Sequence, residues 1–229
     1  MAEGWPRAVV FDLDGTLIDS VGDIADALNA GLRHCALAPI PDEQVRLMIG
    51  GGARVLVERV LASVDRSADA ALTQRLHDYF LDAYASGSVA RTTIYPHARE
   101  LLEDLASRSV KLAICTNKPA RITQDVLVKL GLRDRFLSVV GGSDDLPKKP
   151  HAAMLLAALD AVGASSGEAV MIGDSAADVG AARAAGVPVV AVSYGYTRVP
   201  PRDLGADMLI ENLTEVIPAL DHLGKLKSL

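Results

Sequence analysis

Six short apolar runs punctuate the chain, at 8–11, 111–115, 138–140, 169–172, 187–192 and 208–210. Most are rich in valine and isoleucine and lack a clear apolar–polar alternation, which is how strands covered on both faces read. Between them, helical patterns occupy 98–107, 120–130, 151–162 and 176–185. Strand, helix, strand, repeated in this order, predicts a parallel α/β sheet flanked by helices, with right-handed crossovers. Gly131 and Gly186 directly follow helical patterns and read as helix C-terminal glycines.

One interval breaks the rhythm. From 21 to 91 there is no convincing strand, only helical patterns at 21–34, 42–48, 53–63 and 68–86, two of them separated by Gly50-Gly51-Gly52. A helical insertion directly after the first strand predicts an all-helical cap domain at 21–91, over a core made of 1–20 and 92–229. The two hinges are expected near Ser20 and within 86–93. No internal repeat or low-complexity segment is visible.

Composition narrows the function classes. Half of the 229 residues are apolar, enough for a substantial core. The formal net charge is −6 and no long basic run occurs, the short basic tail at 225–227 included, so no nucleic-acid partner is expected. No uncharged apolar stretch approaches membrane-spanning length, so no membrane partner is expected either. The segment around Trp5-Pro6 lacks a signal-peptide pattern. Two cysteines, Cys35 and Cys115, lie far apart without metal-site spacing, which fits a reducing compartment. The expectation is a soluble cytoplasmic protein, monomer or homodimer.

Ligands of open α/β sheets bind beyond the carboxyl ends of the strands. After the first strand comes Asp12-Leu13-Asp14-Gly15-Thr16, and after the second Thr116-Asn117-Lys118-Pro119. Past the third comes Lys148-Lys149-Pro150, and after the fourth Gly173-Asp174-Ser175, with Asp178 one helical turn on. Asp12, Asp14, Asp174 and Asp178 would crowd one pocket, and like charges about 4 Å apart repel by roughly 4 kcal/mol at an effective dielectric near 20. Such a cluster calls for a cation, and hard oxygen ligands beside a phosphate suit Mg²⁺. Lys149 can neutralise a phosphoryl oxygen, and Thr116 and Asn117 can donate hydrogen bonds to the same group. Pro119 suits the first helical position, leaving backbone N–H groups facing an anion. A carboxylate nucleophile needs no base at neutral pH. The leaving alkoxide does need a proton, a task that fits Asp14.

These stretches carry a resemblance. Val9-Val10-Phe11-Asp12-Leu13-Asp14-Gly15-Thr16-Leu17 resembles the first motif of the haloacid dehalogenase superfamily, while Thr116-Asn117, Lys149-Pro150 and Gly173-Asp174-Ser175-Ala176-Ala177-Asp178 resemble the second, third and fourth. The resemblance covers nearly the whole chain, including a helical cap. It implies a Rossmann-like core and hydrolysis of a small phosphorylated metabolite through an aspartyl-phosphate. It also implies Asp12 as nucleophile and metal ligand, and Asp14 as acid/base whose backbone carbonyl reaches the metal. Asp174 is then a further ligand to Mg²⁺, with Thr116, Asn117 and Lys149 holding the phosphoryl group and Asp178 in an outer position. Within the superfamily the chain is most similar to bacterial phosphoglycolate phosphatases, through Leu17-Ile18-Asp19-Ser20, Met48-Ile49-Gly50-Gly51-Gly52-Ala53, Gly186-Val187-Pro188 and Ser193-Tyr194-Gly195-Tyr196. The likeness points to 2-phosphoglycolate. Related sugar-phosphate phosphatases and phosphomutases share much of the pattern.

Asp174 alone reads equally well as a helix cap. Arg46 and Arg54 flank the glycine run and could hold a substrate carboxylate, although each reads first as solvated surface; Lys148, His97 and His151 read as surface, and Cys35 as cap filler. Cys115 and Arg121 have the Cys-x5-Arg spacing of a cysteine phosphatase. That loop must present successive N–H groups, however, and Pro119 removes one where no glycine is available. A phospho-receiver switch would need neither Asp14 nor a cap.

Overall fold

The computed structural model describes residues 5–66, 69–87, 89–143 and 145–226. Ala68 of the expected fourth cap helix, Ser88 of the expected second hinge, Lys227 of the tail and residues 1–4 lie outside them.

The chain opens with β1 (Ala8–Phe11), then a two-residue strand β2 (Ile18–Asp19). Four helices follow: α1 (Val21–His34), α2 (Asp42–Arg46), α3 (Ala53–Ser63) and α4 (Ala70–Gly87). The chain returns through β3 (Thr93–Ile94) and continues as α5 (Ala98–Ser107), β4 (Lys111–Pro119), α6 (Ala120–Lys129), β5 (Ser138–Gly142), α7 (Ala153–Val162), β6 (Ala169–Gly173), α8 (Ala176–Ala185), β7 (Val189–Val192), β8 (Met208–Ile210) and α9 (Val216–Leu226). All six expected strands form one parallel sheet in the order β5-β4-β1-β6-β7-β8.

The missing alternation in the strands has a direct cause. Val9, Phe11, Leu112, Ile114, Val170, Ile172, Val190 and Val192 point to one face, packed with the leucines of α5, α6 and α9. Ala8, Val10, Ala113, Cys115, Ala169, Met171, Val189 and Ala191 point to the other, under α7 and α8. Both parities are buried, so both are apolar.

Differences from expectation are local. β4 runs on through Pro119, past a register irregularity between Cys115 and Pro119, so the polar tripeptide 116–118 is strand rather than loop. Pro119 therefore sits at the N-cap of α6 instead of its first turn. β2, β3 and α9 were not expected. The first two pair antiparallel, Ile18 with Ile94 and Asp19 with Thr93, where the chain leaves the sheet and comes back.

The helical insertion is tied down at this stem. Asp23, near the start of α1, accepts hydrogen bonds from the backbone N–H groups of Arg91 (2.9 Å) and Thr92 (2.7 Å) and from the Thr92 hydroxyl (2.5 Å). The insertion's interior, including Leu28, Leu32, Leu56, Val60, Leu61, Leu72, Leu76 and Phe80, is continuous with the apolar cluster on the Phe11 face of the sheet.

Candidate active site

The register of the sheet assembles the site. Phe11 lies beside Ile114 on one side and Ile172 on the other, so Asp12 emerges level with Cys115 and Gly173, one residue short of Thr116 and Asp174. The Asp12 N–H stays in the ladder, donating to Ile172 O at 2.9 Å, while its side chain accepts from Leu13 N–H at 2.7 Å. Three residues on, Gly15 turns the chain at φ +82°, where a Cβ would stand 2.4 Å from Asp174 Oδ2. Only glycine satisfies both the left-handed backbone and that approach.

Carboxylate oxygens of Asp12, Asp174 and Asp178 lie within 4.8 Å of one another, all buried. Lys149 Nζ sits among them, 3.0 Å from Asp12 Oδ1 and 2.6 Å from Asp178 Oδ1, and donates to Cys115 O at 2.7 Å. Burial first, then the charge of Asp178, pushes the Asp12 carboxyl up from 3.8 to about 7, despite the contact with Lys149. Burial, Asp178 and Asp12 raise Asp174 well above the carboxylate range. Burial alone would pull Lys149 down, but Asp12 and Asp178 outweigh it and hold the ammonium above its ordinary range. One ammonium shared by three carboxylates leaves negative charge unmatched. A buried, all-oxygen donor set with that imbalance fits a hard divalent cation.

Asp178 is more than an outer neighbour. Its Oδ2 accepts from the N–H groups of Asp174 (3.2 Å) and Ser175 (3.0 Å) and from the Ser175 hydroxyl (2.7 Å), closing a capping box at the start of α8. It thereby orients Lys149 and the turn that carries Asp174. Asp174 in turn accepts from Tyr196 N–H at 2.5 Å and from the Thr16 hydroxyl at 3.5 Å.

Asp14 occupies a separate arm. It accepts from the Ser20 hydroxyl at 2.6 Å and from Lys118 Nζ at 2.8 and 3.1 Å. Lys118 also donates to the Tyr84 hydroxyl of α4, with its ammonium 4.5 Å from that ring's centroid. Asn117 does not project a free amide. Its Nδ2 donates to Gly50 O (3.0 Å) and Lys149 O (2.9 Å), and its Oδ1 accepts from Lys149 N–H (2.9 Å). Asn117 thus stitches the glycine loop to the strand end and the lysine loop. Gly52, at φ +86°, lies so close that a Cβ would meet Asn117 O at 3.0 Å.

A cavity of about 40 Å³ lies between sheet and insertion, lined from below by Asp12, Asp14, Thr116, Asn117 and Lys118 and from above by Ile24, Leu56, Phe80, Tyr84 and the glycine loop. That is room for a ligand of few atoms.

Of the residues picked from sequence, Asp12, Asp14, Thr116 and Asn117 line this cavity, while Lys149, Asp174 and Asp178 form the cluster at Asp12. Arg54 turns outward to Glu58 and Gln74. Arg46 is not plain surface: it bonds Asp19 and Tyr194 O and stacks over Tyr196, away from the cavity. Sequence reasoning passed over Lys118, Tyr84 and Ser20. Lys118 had a signal in its place in the tripeptide after β4 and Ser20 in the stretch Leu17-Ile18-Asp19-Ser20, while Tyr84 had none. Cys115 is fully buried, its thiol pushed up to about 12 mainly by burial, and Arg121 is exposed. The cysteine-phosphatase reading therefore fails.

A family model described as haloacid dehalogenase-like hydrolase matches residues 9–192. The chain belongs to that family. This haloacid dehalogenase-like hydrolase is 45% identical over 205 residues to a phosphoglycolate phosphatase of Rhodospirillum rubrum, covering 88% of this chain and 85% of that protein. It is 40% identical over 208 residues to one from Caulobacter vibrioides, covering 91% and 88%. Its fold matches the crystal structure of a predicted phosphoglycolate phosphatase from Haemophilus somnus with a TM-score of 0.86 at 29% identity, over 93% of this chain and 97% of that one. No helix among the described residues is long and apolar enough to cross a membrane.

Proposed function

We propose that the protein is a phosphomonoester hydrolase that converts 2-phosphoglycolate to glycolate and inorganic phosphate. The observation that carries this reading is the small cavity over Asp12, with a buried carboxylate cluster at its base. The likeness to phosphoglycolate phosphatases over most of the chain supports the substrate.

A carboxylate oxygen of Asp12 attacks phosphorus as the bond to the bridging oxygen breaks, leaving an aspartyl-phosphate. Asp14 delivers a proton to the departing glycolate oxygen, then takes one from the water that hydrolyses the intermediate. Lys149 and Thr116 hold phosphoryl oxygens. Asn117 acts through its backbone links to Lys149 and Gly50, keeping lysine loop and glycine loop in register with the floor. Asp12, Asp174 and the Asp14 carbonyl would hold Mg²⁺, which when bound supplies positive charge against the phosphoryl group. Residues 21–91 act as the cap that selects the organic half of the substrate, over a core of 1–20 and 92–229.

The test is a comparison of kcat/KM for 2-phosphoglycolate, glucose phosphates, glycerol phosphate and a nucleotide monophosphate, with Mg²⁺ and with EDTA. The expected result is preference for 2-phosphoglycolate and no turnover in EDTA. A sugar phosphate preferred by about tenfold, a transition-state difference near 1.4 kcal/mol, overturns the substrate, and full activity in EDTA overturns the metal.

A further inference from the structure

Lys118 and Tyr84 meet in one corner of the cavity with hydrogen-bonding capacity to spare. Both are buried, at 4% and 2% exposure. The Tyr84 hydroxyl accepts from Lys118, and its own proton has no acceptor among the described residues. An ammonium carries three N–H donors. All three are engaged, by the two Asp14 oxygens and Tyr84, so a ligand takes over one of the two contacts to Asp14. Lys118 is also the only basic residue among those described lining the cavity, and its neighbours overhead, Ile24, Leu56 and Phe80, offer nothing polar. A buried O–H without an acceptor among the described residues is costly unless a ligand satisfies it. That donor beside a buried ammonium asks for an anion.

Position says which anion. Lys149 serves the Asp12 side, where the phosphoryl group reacts. Lys118 touches Asp14, the residue that addresses the bridging oxygen. In 2-phosphoglycolate the carboxylate carbon is two bonds from that oxygen, so the carboxylate falls on the Lys118 side. We propose that Lys118 and Tyr84 form the carboxylate subsite and determine the preference for a short phosphorylated acid, which rests on the reading of the protein as a 2-phosphoglycolate hydrolase. The carboxylate takes one of the ammonium N–H groups now turned to Asp14, and the tyrosine O–H. Arg46 and Arg54, the candidates suggested by the sequence, are engaged elsewhere.

The experiment compares kcat and KM for 2-phosphoglycolate and ethyl phosphate, which keeps the two-carbon skeleton without the carboxylate. It uses the Mg²⁺-loaded wild type, K118M and Y84F. The expected result is that the ratio of kcat/KM values between the two substrates shrinks about tenfold or more in K118M and about threefold in Y84F, chiefly through KM for 2-phosphoglycolate. If both substrates lose the same factor in both variants, Lys118 acts only through Asp14 and the subsite is refuted. Should K118M fail to fold, the Y84F ratio decides alone, because that change keeps the ring and the ion pair. A wild type that hydrolyses both esters without preferring 2-phosphoglycolate refutes the underlying substrate reading, and the subsite with it.

Discussion

The buried carboxylates make Asp12→Asn a change with opposite effects on activity and stability. Turnover should vanish, because an amide is a far poorer nucleophile. The metal-free protein should become more stable. Burial and Asp178 raise Asp12 from 3.8 to about 7. The folded state therefore binds the Asp12 proton more tightly than the unfolded one, and wild-type stability falls as pH rises from 3.8 towards 7. At 1.36 kcal/mol per pKa unit, the ionised carboxylate costs up to about 4 kcal/mol above pH 7. Asparagine keeps the shape without the charge. Lys149 still has Asp178 at 2.6 Å, so the ammonium is not stranded. Allowing half of the full value for relaxation, the gain of about 2 kcal/mol corresponds to a Tm rise of roughly 4–8 °C for a chain of this size. The assay is thermal unfolding of both proteins in EDTA at pH 5 and pH 8. The gap should be about two-fifths of its full size at pH 5 and reach its full size at pH 8. Mg²⁺ should then close it by stabilising the wild type more than the variant. A variant no more stable than the wild type at pH 8 in EDTA would refute the picture of a cluster strained by unmatched charge.

Asp14→Asn should lower kcat on 2-phosphoglycolate by about 10²–10⁴-fold, the usual worth of a general acid, and far less on an activated aryl phosphate. Equal losses on the two esters in steady-state assays would count against the acid role. Cys115→Ser should retain most phosphate-release activity, since the thiol is held protonated by burial and only its backbone carbonyl meets Lys149; loss of turnover in a folded protein would reopen cysteine chemistry.

The sheet, most of the helices and the chemical class are legible in the order of residues alone. Both faces of β1, β4, β6 and β7 are covered, so their apolar runs are continuous and easy to see. The reactive residues follow strand ends directly, so adjacency in the chain already places Asp12, Thr116 and Asp174 at one end of the sheet. The two-residue strands β2 and β3 were invisible because two residues carry no period. The partners of those residues follow from the packing of distant segments. Lys118 meets Asp14 across 104 positions and Tyr84 across 34, and Tyr196 meets Asp174 across 22. Local pattern reports which face of an element is buried, not which side chain of another element arrives there. The same limit kept the two arginines open, each read first as solvated surface, which fits Arg54, with a carboxylate contact as the alternative. Their hydrogen bonds lead to Asp19, Tyr194, Glu58 and Gln74, while the buried ammonium in the cavity belongs to a strand far along the chain. Which cation reaches the cavity depends on how the helical insertion packs on the sheet, and that packing sums weak contacts from the whole chain.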